Sequence, residues 1–175
     1  MRPIESWCVS WCLSREAGVQ KKDFLEMVVN QVEDWVYSTD DNYLDDVDFH
    51  DAVVKSIHQT DSEIIVEIES VNILPQHPLN PFKVAKNTGE CRLIFTNPLA
   101  SAAAIFAPDG TPEPMICTDF KQLEILQFDC VEQETGKLYK IFGVDDQFCE
   151  WKVQAEGFTL HWNEFLTNAW FVAPI

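Results

Sequence analysis

Six aspartates fall within twelve residues, at Asp40, Asp41, Asp45, Asp46, Asp48 and Asp51. Carboxylates this dense can ligate calcium, keep a loop solvated by mutual repulsion, or present an anionic surface to a cationic partner. An EF-hand loop takes its ligands at alternate positions, with glycine sixth and glutamate twelfth. With Asp40 first, Leu44 is fifth, Asp45 sixth and Asp51 twelfth, so the pattern fails and no metal site is predicted. The solvated loop and the anionic docking surface remain open on the residues alone.

Histidine and cysteine offer less. His50 and His58 share one side of a predicted strand but lie roughly 26 Å apart, too far to hold one metal ion. Cys8 and Cys12 form the single closely spaced pair among six cysteines, whereas zinc sites draw on two such pairs. Cys91, Cys117, Cys130 and Cys149 are scattered among apolar neighbours and read as buried reduced thiols. A cysteine nucleophile needs a histidine beside it and a third group to orient the base, and no local signature selects such a set. The six glycines form no phosphate-binding loop. No cofactor is predicted.

The whole chain is acidic: 29 Asp and Glu against 12 Lys and Arg leave a net charge of −17 over 175 residues. Nucleic acid and anionic membrane surfaces both demand positive charge, so neither is expected as a partner. No stretch approaches the roughly 18 apolar residues of a membrane span. The first residues, Met1–Trp7, lack the basic start and apolar run of a secretory signal, which predicts a cytoplasmic protein.

The elements that must position these side chains show two periodicities. Trp7, Val9, Trp11 and Leu13 alternate with smaller residues, as on a half-buried strand, and Trp7 and Trp11 also fit one face of a helix. Between Lys21 and Tyr37 the apolar residues Phe24, Met27, Val28, Val32, Trp35 and Val36 recur at steps of three and four, which predicts an amphipathic helix. Residues 38–48 form an acidic connector. Beyond it, period two takes over: Phe49 to Gln59 and Glu63 to Val71 flank the polar turn Thr60-Asp61-Ser62 as a hairpin. Gln76 to Phe82 and Ala107 to Pro114 read as loops, with Cys91 to Thr96 a strand between them. Leu123 to Val131, Lys137 to Val144, Phe148 to Ala155 and Phe158 to Trp162 read as a four-strand antiparallel meander, with Gly136 and Gly157 at turns. The expected class is α+β: a single domain over residues 1–175, with an antiparallel sheet and the N-terminal helix packed on one face. The apolar C-terminal run from Phe165 is expected to dock as a last strand.

The stretch Asp48-Phe49-His50-Asp51-Ala52-Val53-Val54-Lys55-Ser56-Ile57, followed by Ile64-Ile65-Val66-Glu67-Ile68-Glu69, resembles the opening hairpin of small acidic bacterial toxin-immunity proteins. The resemblance covers about twenty residues. It implies a protein that binds a toxin domain, often a basic nuclease, and blocks its active site. The expected function is thus a non-enzymatic inhibitor that neutralises a basic protein partner through Asp40, Asp41, Asp45, Asp46, Asp48 and Asp51. The competing readings are a small β-rich enzyme or ligand-binding domain using His50, His58 or a cysteine, and a scaffold subunit of a bacterial assembly.

Overall fold

The computed structural model describes residues 34–173. Cys8, Cys12, the strand predicted at Trp7–Leu13 and most of the helix predicted to follow it lie outside the described residues. Strand β1 (Tyr37–Asp40) leads into a 3-10 turn, Asp41–Asp46, and then into the two-residue β2 (Val47–Asp48). The predicted hairpin follows as β3 (Ala52–Gln59) and β4 (Glu63–Ile68). Next come β5 (Asn72–Ile73), a proline-rich loop, β6 (Lys86–Thr88), β7 (Cys91–Thr96), β8 (Ala100–Phe106) and β9 (Pro112–Met115). A short 3-10 turn, Cys117–Asp119, precedes β10 (Glu124–Glu132), β11 (Lys137–Asp145), β12 (Gln147–Ala155), β13 (Gly157–Trp162) and β14 (Phe165–Asn168).

Ten of these strands make one antiparallel sheet in the order β1-β13-β7-β4-β3-β10-β11-β12-β8-β9, and β14-β6-β5-β2 make a smaller one. β3 joins the halves of the large sheet. Its first residues pair with β10, as Ala52 with Ile125 and Val53 with Glu124, and from Val54 on it pairs with β4 through a bulge. The bend at this joint lets the inner faces of the two halves meet. Phe95 on β7 lies 5.1 Å, centroid to centroid, from Tyr139 on β11 and 5.9 Å from Trp151 on β12, and Phe158 on β13 lies 6.0 Å from Phe128 on β10. These spacings are those of favourable edge and offset aromatic contacts.

The α+β expectation is corrected here. The helical stretches among the described residues are 3-10 turns of six and three residues, so no described α-helix covers the sheet. Tyr37, placed at the end of the predicted helix, opens β1 opposite Trp162. The physical reason lies in the strands: β4, β7, β12 and β13 each bury alternate residues on one face, and once the sheet folds back each half covers the other's face.

Other expectations change as well. The meander ends after β12, because β13 crosses over to pair with β7 on one side and β1 on the other. The small-residue run at Leu99–Ala107, given no element from sequence, forms β8 against β12. β9 falls inside a predicted loop. Its prolines at 112 and 114 remove N–H donors from one side of the strand, which suits the last position in a sheet. Gly136 takes φ +74 in the β10–β11 turn as expected, and Asp146 fills the left-handed position between β11 and β12 with φ +61. The C-terminal run docks only in part: β14 pairs with β6, while Trp170 and Phe171 stay exposed.

Phe95 is fully buried at the centre of the aromatic layer. Phe95→Ala is expected to cost about 3–5 kcal/mol in urea unfolding, whereas Phe171→Ala on the surface should stay within about 0.5 kcal/mol of the parent.

Candidate functional site

The 3-10 turn, β2, β10 and β11 enclose a cleft of about 540 Å³. Asp41, Asp45, Asp48, Asp129 and Glu132 line it together with one ammonium, Lys137. Leu44, Val47, Leu74 and Phe128 also contribute to its wall, so the cleft joins an acidic rim to apolar surface.

Asp41 ties the turn to the sheet. Its side chain is 9% exposed, its Oδ2 lies 3.1 Å from Lys137 Nζ, and it accepts a short hydrogen bond from the Tyr139 hydroxyl. Burial and this hydrogen bond both push the Tyr139 phenol well above its ordinary range. For Lys137, burial disfavours the charged form, but the hydrogen bond and charge of Asp41, with Glu132 beside it, outweigh that and raise its pKa. Lys137 thus stays an ammonium and Tyr139 a neutral phenol at physiological pH. Gly157 opens β13 directly over Asp41; a Cβ there would stand 3.2 Å from Asp41 Oδ2. That approach, rather than a positive φ, is what calls for glycine at this position.

The six aspartates selected from sequence do not act alike. Asp48 has both carboxylate oxygens engaged, Oδ1 by the His50 amide at 3.1 Å and Oδ2 by the Asn72 side chain at 3.0 Å. Asp45 is exposed on the cleft rim. Asp40 caps the 3-10 turn by accepting from the Asn42 amide at 3.0 Å, and it lines a neighbouring hollow with Tyr43 and His77. Asp46 receives the Leu74 amide on its main-chain carbonyl. Asp51 pairs with His50 at 2.9 Å beside a third hollow. The fold therefore brings Asp41, Asp45 and Asp48 together in one cleft and leaves Asp40, Asp46 and Asp51 out of it.

Asp129 and Glu132 complete the cleft and escaped the sequence reading. They lie more than eighty positions beyond Asp48, and strand pairing carries them to the acidic turn: β10 pairs with β3 and with β11, whose Lys137 and Tyr139 hold Asp41. His77 also escaped it. It is 1% exposed, its Nδ1 accepts from the Leu79 amide at 3.1 Å, and its Nε2 lies 3.0 Å from Thr39 Oγ1. An Nδ1 that accepts leaves the proton on Nε2, so the ring is neutral and donates to the threonine.

The alternative chemistry finds little support in the geometry. His58 is exposed on β3 opposite Ile65, apart from the His50–Asp51 pair in the turn before that strand. Burial pushes the Cys91 thiol up to about 12 and the Cys149 thiol up to about 11, which suits packing better than nucleophilic attack. Among the described residues, no group of three or more His, Cys, Asp and Glu is placed to hold a metal ion. No described helix is long and apolar enough to cross a membrane. No family model matches the chain, and searches of curated proteins and of solved structures likewise give no match.

Two outcomes test this description. Lys137→Met, which strips the cation from a largely buried carboxylate, should cost about 3 kcal/mol in chemical unfolding. Burial lowers the His77 pKa from its ordinary value, so its neutral form stabilises the fold above the unfolded value near 6.5, and that contribution is lost as pH falls through the lower folded value. The stability difference between the parent and His77→Asn should therefore shrink as pH falls from about 7 to about 5.

Proposed function

We propose that this chain is a non-enzymatic protein-binding inhibitor of the immunity type, which takes a cationic segment of a basic toxin into the cleft between the 3-10 turn and β10. One observation carries this reading: among the described residues, five carboxylates and a single lysine surround a cleft that also presents leucine, valine and phenylalanine. An arginine or lysine side chain has the same two-part character, an apolar stem ending in a charged head. Asp45, Asp129 and Glu132 are exposed and meet the head group, while Asp41 and Asp48, engaged in the fold's own contacts, hold the walls in place.

The resemblance around Phe49-His50-Asp51 supports the same function. Phe49 is buried against Phe128, so the matched hairpin backs onto the strand that supplies Asp129 and Glu132 to the acidic rim. The net charge of −17 adds long-range attraction for a basic protein, which speeds encounter, while desolvated contacts in the cleft set the dissociation rate.

The test is binding to the protein encoded beside this chain, the position in which an inhibitor and its toxin are commonly found. A complex should form whose association rate falls about 10–100-fold between low and physiological salt. The triple substitution Asp45→Asn, Asp129→Asn and Glu132→Gln should flatten that dependence without unfolding the protein. Failure to form a complex, or a rate indifferent to both salt and the substitutions, would remove this function.

A further inference from the structure

The hollow beside the His50–Asp51 pair shares no lining residue with the acidic cleft and has a different chemistry. Its volume is about 420 Å³, and it lies where the turn into β3 meets β6 and the end of β14. Asn72, Asn87 and Ser70 bring amide and hydroxyl groups to it, Thr167 and Asn168 bring more from β14, and Asp51 supplies the one carboxylate among the described residues. Trp170, 69% exposed, borders it with its ring edge-on to His50 at 6.4 Å.

The polar groups are held in place before any ligand arrives. Asn72 is 4% exposed and donates to Asp48 Oδ2; Asn87 Nδ2 donates to Ser70 Oγ at 3.1 Å and to Asn72 Oδ1 at 3.3 Å. This chain fixes the amide planes, and each amide retains hydrogen-bonding capacity beyond these contacts. Asp51 sits at φ +65, a left-handed conformation uncommon for a residue with a side chain, and its amide is tied to the Ile125 carbonyl at 2.9 Å. Beside Trp170, the buried Ala169 donates its amide to Ala85, which anchors the turn while the indole stays in solvent.

Charge and polarity narrow the ligand. Among the described residues no lysine or arginine lines the hollow, and the chain is strongly acidic, so an anion is repelled. The single lining carboxylate is shared with His50, so a cation finds no free counter-charge comparable to the other cleft. A purely apolar ligand would strand the amides and hydroxyls without partners, at a cost for each. What remains is a neutral molecule with many hydroxyl groups and one apolar face. We infer that this hollow is a saccharide-binding site, in which the C–H face of a sugar ring stacks on Trp170 and its hydroxyls bond to Asp51, Asn87 and Asn168.

The test is NMR titration of the full chain with the methyl glycosides of glucose, galactose, mannose and N-acetylglucosamine, together with their short oligosaccharides. At least one should shift the Trp170 indole N–H and the Asn87 side-chain amide saturably and in parallel. Trp170→Ala, a change at the surface, should keep the fold and weaken that sugar at least ten-fold, about 1.4 kcal/mol. Asn168→Ala, also exposed, should weaken it without altering the remaining spectrum. No saturable shift with any of these sugars would overturn the proposal. So would binding unchanged in Trp170→Ala, or a response to inorganic phosphate or to lysine in place of the sugars.

Discussion

The aromatic layer between the two halves of the bent sheet is the contact on which everything else rests. Phe49, Phe95, Phe128, Tyr139, Trp151 and Phe158 join β7, β10, β11, β12, β13 and the approach to β3. Each half alone would expose a full apolar face, and neither has a described helix to cover it. Burial of rings this large dominates the energy of a core of this size. The bulge in β3 and the change of its partner from β10 to β4 let one continuous sheet turn back on itself without losing its ladder.

Tyr139 connects that layer to the acidic surface. Its ring packs on Phe95 and Phe158, and its hydroxyl reaches Asp41, the first residue of the 3-10 turn. A carboxylate kept this far from water needs full satisfaction, which the phenol and Lys137 provide. The acidic turn is thereby fastened to the core through one of its own charges, and the neighbouring Asp45 is left exposed on an ordered support. The same economy holds at Asp48, whose two oxygens order the turn to His50 and the Asn72 side chain. Acidic residues here divide between those that build the surface and those that are presented by it.

Much was legible in the residues themselves. The hairpin about Thr60-Asp61-Ser62, the strand Cys91–Thr96, the bounds of β10 to β13 within a residue or two and the left-handed Gly136 all follow from local chemistry: period-two burial, β-branched runs and turn residues. The net charge also needed nothing beyond composition. The run Ala100–Phe106 was not legible because small residues carry little strand signal, and β9 was hidden by prolines that are tolerated only at a sheet edge.

Which strand pairs with which, and which charges meet, was decided by the tertiary structure. β13 looks like a fourth meander strand, yet it pairs with β7 and β1, since the bend in the sheet offers it two partners across a buried face. The contact from Asp41 to Tyr139 spans 98 positions, and Asp129 and Glu132 join the cleft over a similar separation. Periodicity reports which face of an element is buried. It does not report what that face meets, because that depends on register and curvature summed over the whole sheet.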